Sequence, residues 1–132
     1  MAQRLTIPEN TREVLRNWYD EALIDGTPVF QGSFWGRVFG IFGQHAVTLN
    51  GRVHLTPNVD YEVGSGRGAI LMGHELFHVE QQRDTGWIRF LIKYSLSWRP
   101  SQVRQVYEHP LERPAYARGN EIKLFLEGAA QP

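Results

Sequence analysis

Apolar residues recur with helical spacing over residues 10–25, where Val14, Leu15, Trp18, Tyr19, Ala22 and Leu23 mark one face. Asn10 is placed to cap this helix, with Glu13 three residues on as in a capping box, and Gly26 is placed to end it. From Phe30 to Pro57 the chain turns to Gly, Val, Phe and Thr. Val47-Thr48-Leu49, then Asn50-Gly51, then Arg52-Val53-His54-Leu55 predicts a hairpin, because Asn-Gly suits a two-residue turn with positive φ at both positions. Residues 39–42 read as another strand, and the glycines of residues 64–68 as a flexible loop. Residues 69–83 then predict a buried helix that stops near Gly86. Trp87, Leu91, Tyr94 and Trp98 form a helical stripe before Pro100 breaks it. Residues 101–107 read as a short helix, and a last helix should run from Pro110 or Pro114 to Glu127. Helix, strands, then helices predict an α+β domain: a small antiparallel sheet or hairpin packed on a helical core.

Composition narrows the chemistry. The chain has 132 residues, enough for a single domain with a real core. Lys+Arg and Asp+Glu both number 14, so charge gives no case for a nucleic-acid or acidic-membrane partner. With no cysteine, a metal would have to be held by His, Asp or Glu. The first 11 residues lack a basic region followed by an apolar run. No stretch approaches the roughly 20 apolar residues that cross a bilayer. A cytoplasmic protein without a membrane partner is the expectation.

The chemistry sits in His74-Glu75-Leu76-Phe77-His78. Histidines at i and i+4 on a helix point the same way, so both imidazoles can reach one Zn2+ at roughly 2.0–2.1 Å. Glu75 lies beside that face and is placed to act as general base on a water rather than as a ligand. A catalytic zinc usually has three protein ligands and one open position. The third must come from downstream, and Glu108, His109, Glu112 and Glu121 are the candidates. Ala115, just after Glu112, would let that segment approach the metal helix closely.

Residues 72–82 around this motif, residues 86–94 and residues 107–116 together resemble small bacterial gluzincin-type metallopeptidase-like domains, some of them linked to contractile injection systems. The stretch from His45 to Pro57 resembles the hairpin that precedes the metal helix in that group. The resemblance spans about Val38 to Glu121. It implies a zincin-like fold, Zn2+ as cofactor, a peptide or protein substrate, and His74, His78 and Glu112 as ligands. Two residues depart from the pattern. His109 stands where Asn or Asp is common, and Pro114 stands where a helix former is expected. Proline costs about 3 kcal/mol inside a helix but is tolerated in its first turn, so the last helix should begin near Glu112. His109 is the alternative third ligand.

The remaining chemistry-bearing residues have plainer expectations. His45 and His54 should face solvent or a strand neighbour. Tyr94, Tyr107 and Tyr116 are candidate oxyanion donors or packing residues. Gln81 and Gln82 are candidates to orient the metal helix. The tryptophans should be core, with Phe34-Trp35 as a candidate exposed patch. Arg99, Arg104, Arg113 and Arg118 read as a solvated face. Two functions compete: a zinc peptidase using Glu75 as general base, active or latent, and a non-catalytic zinc-binding accessory module. The intact Glu75 favours the first; the short chain favours the second.

Overall fold

The computed structural model describes residues 2–97 and 109–129. Its elements, in chain order, are β1 (Gln3–Leu5), α1 (Glu9–Leu15), α2 (Glu21–Asp25), β2 (Val29–Gln31), α3 (Phe34–Ile41), β3 (Ala46–Leu49), β4 (Arg52–Leu55), α4 (Gly66–Thr85), α5 (Trp87–Leu96) and α6 (Glu112–Ala129). The class is α+β, as the pattern of the chain implies. The four strands lie in the order β1-β2-β4-β3. The β3–β4 hairpin turns at Asn50 and Gly51, whose φ values of 51° and 72° are both positive. The sheet is mixed rather than antiparallel throughout, because β2 runs parallel to β4. A parallel pair needs a long crossover, and α3 with β3 supplies it.

Several local expectations are corrected. Residues 10–25 form two helices, not one. Asp20 caps α2, accepting from the Leu23 N–H at 2.7 Å, and this local bond competes with a continuous helix. The break lets Tyr19 turn inward and donate to the Gly73 carbonyl at 2.6 Å. Asn10 does not cap α1, whose N-cap is Pro8; its amide donates instead to the Gly64 carbonyl. Residues 39–42 are not a strand. Ser33 caps α3 by accepting from the Gly36 N–H, and that cap starts a helix through them. The glycine-rich stretch is not all loop, since Ser65 caps α4 and the helix begins at Gly66. Gly86 ends α4 with φ 90°, as placed. Pro114 falls in the first turn of α6, where proline is tolerated. Trp98, Tyr107, Glu108 and the short helix expected over residues 101–107 lie outside the described residues.

Leu15, Tyr19, Leu23, Ile24, Val29 and Val53 build the core with Met72 and Leu76 of α4 and Ile122 of α6. Gly73 lets α6 come close: a Cβ there would meet Ile122 Cδ1 at 1.9 Å. Ala115 is fully buried in the same seam. Two expectations about exposure fail. Trp87 is exposed rather than core, the inward residue of α5 being Phe90, whereas Phe34 and Trp35 are exposed as the candidate patch required. Arg118 is half-buried rather than fully solvated and lies over the rings of Tyr19 and Phe77, at 5.2 and 5.3 Å. Among the described residues no helix is long and apolar enough to cross a membrane.

Candidate metal centre

Twenty residues of α4 carry the motif across the middle of the molecule. One turn separates His74 from His78, and α6 packs alongside, its first residue being Glu112. Glu112 Oε1 lies 3.0 Å from His74 Nε2 and 2.5 Å from His78 Nε2. The three donor atoms fall within 4.8 Å of one another, the one such group among the described residues.

His78 and Glu112 are held from behind. Gln81 Nε2 donates to the Leu111 carbonyl at 3.1 Å, so its Oε1 faces His78 Nδ1 at 2.7 Å and accepts from it. Tyr94 donates to Glu112 Oε2 at 2.8 Å. Such outer partners fix which imidazole nitrogen is left for a ligand. With Nδ1 donating, a neutral His78 presents only a lone pair at Nε2. The His78 Nε2 lone pair against a buried carboxylate oxygen therefore calls for a cation between them, a proton or a metal ion. Burial alone would pull the His78 pKa down, but the hydrogen bond and charge of Glu112 outweigh it and raise it to about 9. Burial likewise works to raise Glu112, yet the two histidines hold it well below the usual carboxylate range. The donor set fits a divalent ion of the zinc type: two imidazoles and one carboxylate.

Glu75 does not join this group. It is 4% exposed, and Thr48 of β3 donates to its Oε2 at 2.6 Å. Gln82 ties the same strand to α4, donating to the Thr48 carbonyl at 2.7 Å and accepting from the Gly51 N–H. The hairpin and the metal helix are thus fastened together beside Glu75. His109 also lies outside the group. It is fully buried, its Nε2 donates to the Tyr94 carbonyl at 2.7 Å, and its Nδ1 accepts from the Leu111 N–H. It stacks on Tyr94 at 4.1 Å and so braces the residue that holds Glu112. Glu121 is engaged elsewhere, accepting from Trp18.

The centre opens into a cleft of about 800 Å³. Tyr116, one turn after Glu112, packs edge-on to His74 at 4.5 Å and lines this cleft. Burial, then the charges of Glu112 and Glu75, push its hydroxyl up to about 12. His45 sits at the lip, bonded to Tyr61, whereas His54 is turned away and bonded to Ser33. The role of Thr48 was not legible from the chain, since a threonine in a hairpin strand carries no motif.

Fold and centre together define an α+β protein with a His-His-Glu group able to hold a metal ion. Its sequence matches the eCIS core domain over residues 6–86, more than half of the chain, and the chain belongs to that family. This bears out the link to extracellular contractile injection systems. The match takes in His74, Glu75 and His78 and ends before α5 and α6, so Glu112 lies beyond it. No curated protein and no solved structure matches the chain.

Proposed function

We propose that this protein is a zinc-dependent peptidase of gluzincin type. The observation that carries the reading is Glu75, a buried carboxylate lining an open cleft next to a three-donor metal group yet bonded to Thr48 instead of to that group. A metal held for structure alone has no use for such a neighbour. His74, His78 and Glu112 would hold the ion, which when bound supplies Lewis-acid polarisation of the scissile carbonyl and acidifies water.

The chain's own residues supply the remaining steps. Thr48 occupies Glu75 Oε2 and leaves Oε1 to take a proton from the attacking water and return it to the leaving amine. Tyr116 keeps its proton at neutral pH, lines the cleft beside His74 and would donate to the developing oxyanion. Tyr94 is committed to Glu112 and has a holding role. The substrate would lie along the free edge of β3 as an added strand. Gln82 already occupies the Thr48 carbonyl, so Ala46 offers the open backbone groups.

The test is cleavage of a diverse peptide library by zinc-loaded protein, read by mass spectrometry, with Glu75→Gln as control. Loss of cleavage in the variant with zinc retained supports the reading; equal cleavage by both proteins sinks it. A second reading, a zinc-bearing accessory module of an injection system, draws on the aromatic row Phe34, Trp35, Phe39 and Phe42, whose rings touch in sequence along α3. Failure of the zinc-loaded wild type to cut any library member would favour it.

A further inference from the structure

The cleft has two ends of opposite character. At the inner end stand its only lining carboxylates among the described residues, Glu75 and Glu112. At the outer end stand Arg67 on α4 and Lys123 on α6. The helices run antiparallel, with His74 beside Tyr116, Ile70 beside Gly119 and Gly66 beside Leu126, so Arg67 and Lys123 lie at one level. Between the two ends the α4 wall is apolar, with Ile70 and Leu71, and Gly119 and Asn120 of α6 lie opposite. Arg67 lies over Tyr61 at 4.3 Å, which braces its guanidinium. Its ionic partner Asp60 is 3.7 Å away, and both side chains are well exposed, a pairing that a better-placed carboxylate can displace.

Resting on the peptidase reading, we propose that this outer end is a subsite for an acidic side chain of the bound peptide, so that the substrates are peptides with Asp or Glu beyond an apolar stretch. Seven residues of α4 separate Arg67 from His74, about 10 Å at 1.5 Å per residue. An extended peptide covers that in about three residues, and reaching Lys123 takes one or two more. The direction also follows. β3 runs the same way as α4, since Thr48 meets Glu75 and Gly51 beyond the strand meets Gln82, seven residues further along α4. An added strand pairs best antiparallel. Its C-terminal part then lies toward Arg67 and Lys123, and the acid falls three to five residues after the cleaved bond.

The experiment compares wild type with the exposed charge reversal Arg67→Glu/Lys123→Glu on C-terminally amidated peptides, so that only side-chain carboxylates count. Glu at α4's first turn suits the helix dipole, which keeps the variant folded. Wild type should prefer Asp or Glu at those positions by about five- to tenfold in kcat/KM over Gln, the scale of two exposed ion pairs. The variant should lose or invert this preference while cutting the Gln peptides within about twofold of wild type. Equal cutting of acidic and neutral peptides by wild type overturns the subsite and leaves the peptidase standing. Should nothing be cut, fluorescence anisotropy with zinc-loaded Glu75→Gln and the same peptides, labelled, decides. Acid-dependent binding that the charge reversal abolishes supports the subsite without the enzyme; charge-blind or absent binding overturns it.

Discussion

At the inner end of the cleft side chains are held twice over, whereas at its lip they stand in water. His78 has Gln81 behind it, Glu112 has Tyr94, and Glu75 has Thr48. Phe42, which follows α3 and lines the cleft, is by contrast 74% exposed, and Phe34 at the far end of the same aromatic row is 68% exposed. The difference separates two physical demands. A group that must hold a metal or move a proton needs its geometry fixed before the ligand arrives, and buried hydrogen bonds do this at the cost of desolvation. A surface that meets a varied chain needs area rather than geometry, and exposed aromatics supply it. Substitutions at the two ends should therefore fail in different ways.

The largest effect should come from Glu75→Gln. The amide keeps the size of the carboxylate and can still accept from Thr48, but it cannot take a proton at neutral pH. Peptide hydrolysis should fall by about 10²–10⁴-fold. Zinc content, read by elemental analysis, should stay near that of the wild type. Loss of zinc would mean that Glu75 is a ligand and that the inner end is organised differently.

Next comes the metal itself. Glu112→Ala should weaken zinc binding by more than the roughly 10–100-fold that loss of an outer partner costs, and Gln81→Ala should fall within that range. His109→Ala removes a brace rather than a donor and should act through Tyr94. Competition with a fluorescent chelator ranks the three. Tighter zinc binding by Glu112→Ala than by His109→Ala would exchange their roles.

Gly73→Val tests how the inner end is assembled. Even a Cβ at this position would meet Ile122, which is fully buried and has no room to retreat. Overpacking of this kind costs about 1–3 kcal/mol, measurable by urea unfolding. Because α6 carries Glu112, zinc affinity should drop together with stability. Unchanged stability would show that α6 adjusts freely and that the seam does not position Glu112.

The two ends were also unequally legible in the chain. The motif at His74, Glu75 and His78 could be read because helical spacing dictates which side chains converge. Glu112 followed from resemblance, whereas Pro114, whose fixed φ confines the start of α6, gave the helix start and kept His109 as the alternative ligand. The hairpin was legible because Asn50-Gly51 has few alternatives to its turn. Local capping, by contrast, overrode periodicity. Asp20 split one apolar stripe into two helices, and Ser33 turned a strand-like run into α3. Thr48 and the half-buried Arg118 were hidden because their partners lie 27 residues away or more, where only the folded chain brings them together.

The smallest effect on the molecule, and the most telling about its lip, should come from Trp35→Ser. Trp35 is 48% exposed and contacts its neighbours Phe34 and Phe39 along one helix face. Little area returns to water when it is removed, so stability should move by no more than about 0.5 kcal/mol, as for surface substitutions generally. Zinc affinity should not change, because α3 carries none of the donors. If the aromatic row serves only to keep Phe42 at the cleft mouth, cleavage of short peptides should also be unaffected. If it docks a folded partner, cleavage or capture of intact protein substrates should fall while short peptides are cut as before. Parallel assays on a short peptide and on the protein containing it separate these outcomes. A loss of several kcal/mol would break the comparison, since it would place the exposed aromatics in the core after all.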